Sequence, residues 1–291
     1  MKFIAFFIFL TCSQSSAALG NSNRILNGVP INIRQAPYQV WMGGRVLNDE
    51  GYGKVHCGGA VISQRVVLTV ESCFLPTYYS QGKIAYNQYF IVAGCNYINK
   101  EDENTQKYQI QEVVKHSDTY VEDDIAIVLL NGYIPWDSPT IKAVALAERP
   151  ILSKTSCLVS GWGMDKKGFP LNLMQAKVFV QSHSWCSENL PNFKISEICS
   201  NSTDYTTNDA GGPLVCSNEL HGVALFDYNH PNRIGLYANI SFYYKWIRAV
   251  NSSFNYSDYL NHTISGFETQ SSFNSQETCC IVLCIFLVWT M

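Results

Sequence analysis

The sequence predicts an all-β protein with many short strands and one helix near the end of the folded region. Only 15% of the 291 residues are charged, whereas Tyr and Phe, which favour strands, number 17 and 15. Short apolar or alternating runs also recur from residue 25 to about residue 250, separated by Gly, Pro, Asn and Asp. Strands of this length and spacing are typical of a β-sandwich or a β-barrel.

Nine segments carry the strand pattern most clearly. They are Tyr38–Met42, Gly59–Ile62, Val66–Val70, Tyr89–Ala93, Ile125–Leu130, Leu158–Trp162, Ala176–Val180, Leu214–Cys216 and Gly222–Phe226. The helix is predicted at Tyr243–Val250, where apolar residues recur at helical spacing and Lys245 and Arg248 fall on the opposite side.

The amino end has the features of a secretory signal peptide. A basic residue and the apolar run Phe3–Leu10 are followed by small residues that end at Ala18. We therefore expect a signal peptide over residues 1–18, a short propeptide over residues 19–24, and an extracellular, oxidising environment for the remaining chain. The formal net charge of -3 does not favour a nucleic-acid partner.

The composition changes after Val250. Residues 251–278 are rich in Asn and Ser and predict an exposed stalk. Residues 279–291 are almost all apolar but too few for an ordinary transmembrane helix. A polar stretch before a short apolar end resembles the signal for a glycolipid anchor, which would attach the protein to a membrane. An apolar tail that packs elsewhere or frays remains the alternative.

Sequons and cysteines agree with secretion. The candidate glycosylation sites are Asn201, Asn239, Asn251, Asn255 and Asn261. Of 11 cysteines, seven lie in the body of the chain, so at least one is unpaired or bonds another chain. These seven are Cys57, Cys73, Cys95, Cys157, Cys186, Cys199 and Cys216.

Six motifs follow one another in a recognisable order. They are the runs Arg24–Gly28, Cys57–Ile62, Val67–Cys73, Asp123–Ile127, Ser160–Gly163 and Asn208–Cys216. Together they resemble the chymotrypsin/trypsin family of serine proteases over about Arg24–Val250. The resemblance implies two antiparallel β-barrels of the chymotrypsin type, with a short C-terminal helix and an active site in the cleft between the barrels.

The resemblance also implies where a catalytic triad would lie. Asp124 falls at the position of the Asp, Ser72 at that of the His and Ala210 at that of the nucleophile. The methyl group of Ala210 cannot form an acyl intermediate, and Ser72 has no nitrogen that titrates near neutral pH. We therefore expect that the chain is not an enzyme, that it needs no cofactor or metal, and that it binds a protein or peptide, for example in regulating active proteases. A rebuilt serine-type hydrolase and an anchored structural glycoprotein remain alternatives.

A cleavage switch is a further implication of the resemblance. Arg24-Ile25 matches the family's zymogen cleavage site, where cleavage frees an amino group that pairs with the Asp before the nucleophile, here Asp209. Cleavage would then reorder neighbouring loops. The alternative is that Arg24-Ile25 was inherited from an ancestral protease and no longer serves as a switch.

The specificity pocket departs from the family pattern. Asp204 falls where the trypsin branch holds an acidic residue, and Gly235 matches a glycine that lines the pocket. Phe226 and Asp227 replace the family's Trp and Gly. We therefore expect either a closed pocket or a doubly acidic one that holds a basic side chain. The alternative is that Asp204 is only a solvated carboxylate of a loop.

Three disulfides are implied by the same resemblance. They are Cys57–Cys73, Cys157–Cys216 and Cys186–Cys199. Cys95 is then the odd cysteine, either as a buried thiol or as one half of a bridge to another chain.

Overall fold

The computed structural model describes most of the region between residues 28 and 254. The described ranges are 28–48, 51–74, 89–98, 103–117, 123–135, 137–163, 172–201, 209–225 and 234–254. The strands are β1 (Val29–Pro30), β2 (Gln39–Asn48), β3 (Gly51–Val61), β4 (Val66–Thr69), β5 (Tyr89–Ala93), β6 (Gln106–Lys115), β7 (Ala126–Asn131), β8 (Ala145–Leu146), β9 (Ser156–Gly161), β10 (Met174–Phe179), β11 (Glu197–Ser200), β12 (Pro213–Cys216), β13 (Glu219–Ala224) and β14 (Gly235–Asn239). The helices are α1 (His183–Asn189) and α2 (residues 240–254), with 3-10 turns at Ile33–Gln35 and Glu71–Phe74.

Six strands of the amino-terminal half form a closed antiparallel barrel in the order β2-β3-β4-β7-β6-β5. Its interior is filled by the apolar runs that predicted strands, and every residue of β4 is buried. β6 was not predicted, because charged and polar residues occupy much of its exposed side. A bulge between Ile110 and Glu112 also interrupts its alternation.

The carboxyl-terminal half forms a second sheet in the order β1-β10-β9-β12-β13-β14-β11, and β8 pairs with β13. A single antiparallel bridge between Val180 and Ser200 joins the end of β10 to the end of β11, so the sheet curls into a barrel. The prediction of an all-β fold with two antiparallel barrels of the chymotrypsin type is therefore confirmed.

The two helices differ from prediction in opposite ways. α2 was predicted, but it continues to residue 254 and so includes the first four residues of the predicted stalk. It continues because Phe254, only 9% exposed, packs into the same core cluster as Ile247 and the interior of the first barrel. α1 was not predicted, because a seven-residue helix contains too few turns to display a period.

The three predicted disulfides are confirmed. Cys57–Cys73 joins β3 to the 3-10 turn that follows β4, Cys157–Cys216 joins β9 to β12, and Cys186–Cys199 joins α1 to β11. Cys95 lies outside these pairs and is fully buried among Ile33, Trp162 and Leu173. Because a bridge to another chain needs an accessible sulfur, this burial favours the buried thiol.

Candidate active site

The candidate site lies where the first barrel meets the residues that lead into β12. Gly58 N on β3 donates a hydrogen bond of 2.7 Å to Ala210 O. Thr69 Oγ1 on β4 donates to Gly58 O at 2.8 Å. These two bonds fix the segment that carries Ala210 against the wall of the first barrel.

Glycines make this close approach of the two barrels possible. A Cβ on Gly58 would lie 2.9 Å from both N and Cα of Gly212. A Cβ on Gly211, whose φ is +81°, would lie 2.2 Å from Thr69 Oγ1 and 2.3 Å from Gly58 O. Because these distances are too short for any side chain, both positions require glycine.

Asp124 and Ser72 form a hydrogen-bonded pair on the first-barrel side. Ser72 N donates to Asp124 Oδ1 at 2.7 Å, and Ser72 Oγ donates to Asp124 Oδ2 at 2.8 Å. Ser72 is held in the turn Glu71–Phe74, which the Cys57–Cys73 disulfide ties to β3. The pair brings together two of the positions that the resemblance implied for a triad.

The carboxyl group of Asp124 has a raised pKa. Burial is the largest cause, because a charged carboxylate loses its hydration in the protein interior. The backbone and side-chain hydrogen bonds from Ser72 act in the opposite direction, and the nearby charge of Glu71 raises the pKa further. Asp124 is therefore a stronger base than an exposed aspartate.

Ala210 is the third of these positions and is only 2% exposed. It belongs to the same buried cluster as Cys57 and Cys73, the neighbours of Gly58 and Ser72. The structure thus bonds Ser72 to Asp124 and holds the backbone of Ala210 against Gly58, the residue after Cys57.

A buried ion pair beside the site was missed by the sequence analysis. Glu71 is 1% exposed, and its Oε1 lies 2.6 Å from Lys115 Nζ at the end of β6. Its Oε2 is buried without a hydrogen-bond partner among the described residues. The sequence offered one signal for Glu71, which is a charged residue directly after the apolar run Val66–Val70. Lys115 gave no signal, since it follows 44 residues later.

The residue before Asp124 is held by α2. Asp123 accepts a hydrogen bond of 2.5 Å from Tyr243 Oη, and its other oxygen lies 3.0 Å from His116 Nδ1. The His116 ring packs edge-on against Tyr243 and Trp246, each with 4.9 Å between ring centroids. These contacts make α2 part of the support for the acidic side of the site.

Asp209 and Gly235 lie in the second barrel. Asp209 is 2% exposed, and its Oδ1 accepts a hydrogen bond of 2.7 Å from Gly163 N. A Cβ on Gly235 would lie 2.6 Å from Tyr237 Oη and 2.7 Å from Ser200 Oγ. Burial raises the pKa of Tyr237, so its hydroxyl stays protonated.

Several predicted features lie outside the described residues. These are the signal peptide 1–18, the propeptide 19–24, Arg24, Ile25, Asp204, Phe226, Asp227, Asn255, Asn261, stalk residues 255–278 and the tail 279–291. Within the ranges that the structure does describe, no helix is long and apolar enough to cross a membrane. The same ranges contain no group of three or more His, Cys, Asp or Glu residues that could hold a metal ion.

The two barrels and the cleft between them define a protein of the serine protease fold class. Residues 25–247 match the model of the family described as Trypsin, and the chain therefore belongs to the trypsin family. Trypsin zeta of Drosophila erecta is 30% identical over 250 residues, which cover 79% of this chain and 86% of that protein. Human kallikrein-7 is 29% identical over 249 residues, covering 80% of this chain and 90% of that protein. The solved structure of neuropsin, a serine protease expressed in the limbic system of mouse brain, has the same fold, with a TM-score of 0.63, 24% identity, and coverage of 77% of this chain and 98% of that one.

These relatives correct one prediction. We expected that the chain is not an enzyme, but the proteins it matches are named trypsins and kallikreins, and it belongs to their family. The prediction rested mainly on Ser72 and Ala210. Ser72 and Ala210 argue only against catalysis by a Ser-His-Asp triad. The match to the trypsin family, in contrast, covers more than two hundred residues.

Proposed function

We propose that this trypsin-family protein is secreted and binds a protein or peptide segment in the cleft between its barrels. By holding such a segment, it competes with active proteases for their partners. The name of a relative does not identify the bound partner, because one fold serves many binding sites.

The hydrogen bond from Ser72 Oγ to Asp124 Oδ2 carries this proposal. It keeps the buried carboxylate satisfied without an imidazole, so the acidic corner remains ordered. The close contact of Gly58 with Gly212 likewise preserves the adjoining wall of the cleft. Both contacts support an ordered cleft that could hold a peptide, with the half-buried Ser72 at its edge.

Cleavage after Arg24 is proposed as the switch for binding. Asp209 is buried and already accepts a hydrogen bond from Gly163 N, so an amino group arriving from Ile25 would enter a structured anion site. We also propose that the apolar end, residues 279–291, is exchanged for a glycolipid anchor. Release of the protein from cells by a phospholipase specific for such anchors tests the anchor separately.

The binding proposal is tested with the purified protein before and after cleavage at Arg24. A library of immobilised peptides is screened with both forms, and the affinity of each hit is measured by calorimetry. We expect hits with the cleaved form that weaken at least about tenfold in Ser72→Phe, whose larger side chain would enter the cleft from a half-buried position. A cleaved protein that binds no peptide, or binds equally well in that variant, contradicts the proposal.

A second candidate function is serine-type hydrolysis with Ser72 as nucleophile. It is favoured by the names of the relatives and by the direct bond from Ser72 Oγ to a carboxylate with a raised pKa. In this reaction Ser72 Oγ would attack a carbonyl carbon while its proton passes to Asp124, which acts as general base. The bond from that carbon to the leaving group would then break, and the leaving group would take the proton from Asp124. Water would attack the acyl-serine in the same way, releasing the acid and restoring Ser72.

A fluorophosphonate probe distinguishes the two functions. Hydrolysis predicts stoichiometric labelling at Ser72 that is lost in Ser72→Ala and strongly reduced in Asp124→Asn. Peptide binding alone predicts that peptides bind while the probe labels neither the wild type nor the variants.

A further inference from the structure

A groove with an apolar lining lies on the second barrel between α1, the segment before β11 and the start of α2. Its volume is about 430 Å³, which is within the size range of pockets that hold small ligands. Two large apolar side chains on its border are exposed to an unusual degree, Ile195 at 72% and Phe242 at 52%. Exposed apolar side chains that adjoin a groove often mark a site where a ligand or another molecule covers them.

Asn239 lies on the lining of this groove and begins a sequon, Asn239-Ile240-Ser241. It is the last residue of β14, and its backbone N donates to Ser196 O at 2.8 Å, which places it beside the strand that follows Ile195. Phe242 follows one helical turn later at the start of α2. The sequon therefore adjoins both exposed apolar side chains.

The two atoms of the Asn239 amide are used differently. Its Oδ1 accepts hydrogen bonds from Ser241 N at 3.2 Å and from Ser241 Oγ at 2.8 Å, which caps the helix. Its Nδ2 makes no hydrogen bond with the described residues. A substituent on Nδ2 would leave the cap intact.

The other described sequons make a useful contrast. Asn201 is exposed directly after β11, so a substituent there would project into solvent. Asn251 lies inside α2, and its Oδ1 is buried without a hydrogen-bond partner among the described residues. Asn239 and Asn251 are both half-buried, but the buried Oδ1 of Asn251 is without a hydrogen-bond partner in the described part of the chain, whereas that of Asn239 is bonded to Ser241.

We propose that Asn239 carries an N-linked oligosaccharide whose first sugars cover the groove between α1 and α2. In the transfer, Asn239 Nδ2 loses one proton and bonds to C1 of the first sugar. The bond from C1 to the pyrophosphate of a lipid-linked oligosaccharide donor breaks, and the lipid pyrophosphate leaves and takes up the proton that Nδ2 loses. No redox change occurs.

The lining of the groove suits a sugar. The C–H face of a pyranose ring packs on an aromatic side chain such as Phe242, while its hydroxyl groups meet the polar residues Gln181 and Glu197 on the same lining. An oligosaccharide attached at the border needs no separate binding event, because its local concentration is set by the attachment. The oligosaccharide would shield the apolar surface of the groove from water, so that no second protein is needed to cover it.

The experiment expresses the full chain in a eukaryotic secretory host and measures occupancy of each sequon by mass spectrometry of glycopeptides. We expect Asn239 and Asn201 to be occupied and Asn251 to be empty. Ser241→Ala abolishes the Asn239 sequon but keeps the asparagine and the backbone donor of the cap. Ser241→Thr keeps the sequon, and Thr203→Ala removes only the Asn201 sequon.

Binding of a hydrophobic dye then reports whether the sugar covers the groove. We expect Ser241→Ala to raise dye fluorescence about twofold or more, because the groove is uncovered, and Ser241→Thr and Thr203→Ala to leave it unchanged. Adding Ile195→Thr to Ser241→Ala should restore the low signal.

Two results would overturn the inference. One is an empty Asn239 in a protein whose Asn201 is occupied, and the other is an occupied Asn239 whose loss leaves dye binding unchanged. The inference rests on the proposed secretion, and if Asn201 and Asn239 are both empty, secretion and this inference fail together. Peptide binding in the cleft is measured on Ser241→Ala as well, and its persistence shows that failure here is separate from failure of the proposed function.

Discussion

The two halves of the site keep their geometry by different means. On the first-barrel side, side chains bond to side chains, as in Ser72–Asp124 and Glu71–Lys115. On the second-barrel side, backbone groups and close contacts of glycines hold the segment around Ala210. The segment around Ala210 is therefore held without a bond from its own side chain, whereas a change at Ser72 or Glu71 removes a specific bond.

The largest expected effect concerns the glycine-built half. Gly211→Ala should lower the free energy of unfolding by about 3 kcal/mol, because its Cβ would overlap Thr69 and Gly58 and its φ is positive. Gly132→Ala is the control, since its φ of +131° is also unfavourable but its nearest neighbour lies 3.5 Å away. We expect about half the loss there. Equal losses in urea unfolding would refute a steric cause.

The next effect concerns the ion pair of the first half. Lys115→Met should cost about 3 kcal/mol of unfolding free energy, because Glu71 would remain buried without its counter-charge. Glu71→Gln combined with Lys115→Met should recover most of this loss, because no isolated charge remains. If the double variant is no more stable than Lys115→Met in urea unfolding, the pair does not act through charge.

A smaller effect is expected at the centre of the site. Ser72→Ala should cost about 1–2 kcal/mol, since Asp124 loses one of its hydrogen bonds. Ser72→Thr keeps the hydroxyl and serves as the matched variant. Thermal unfolding of both variants tests this, and a Thr variant as unstable as the Ala variant would assign the loss to packing.

The smallest effect is a dependence of stability on pH. The folded-state pKa of Asp124 is raised by burial above its unfolded value near 4, so the folded state binds this proton more tightly. Its contribution to stability is therefore greatest below about pH 4 and is lost as the pH rises through the folded-state pKa. Asp124→Asn should remove this slope from urea unfolding between acidic and neutral pH, and an unchanged slope would assign it to another group.

Prediction from sequence succeeded where a strand is apolar and local. β5 was predicted with its observed bounds, and β4 and β7 to within a residue at each end, because nearly every side chain in them is buried. β6 was not predicted because its exposed positions are polar and a bulge interrupts its alternation, and α1 was not predicted because it is short. The local order of apolar and polar residues predicts a strand when most of its side chains are buried. It does not predict a strand whose burial depends on contacts with strands far away in the sequence.

The candidate site divides in the same way. Motif order identified Ser72, Asp124 and Ala210, and the structure bonds the first two to each other and the third to Gly58. The inference from two of these residues to the absence of enzymatic activity was wrong, because it weighed a single mechanism against the whole family match. The support of Asp123 by Tyr243 was not foreseen, since 120 residues separate them.

The sequence by itself determined the all-β class through its local patterns. The order of its motifs carried the resemblance to the chymotrypsin/trypsin family, and that resemblance implied the three disulfide pairs and the residues at the triad positions. Only the tertiary structure decided that Glu71 meets Lys115 and that Asn239 borders an apolar groove. The physical reason is that such contacts join residues far apart in the chain. Their distances are set by closure of the barrels and by the packing of α2, which no local pattern encodes.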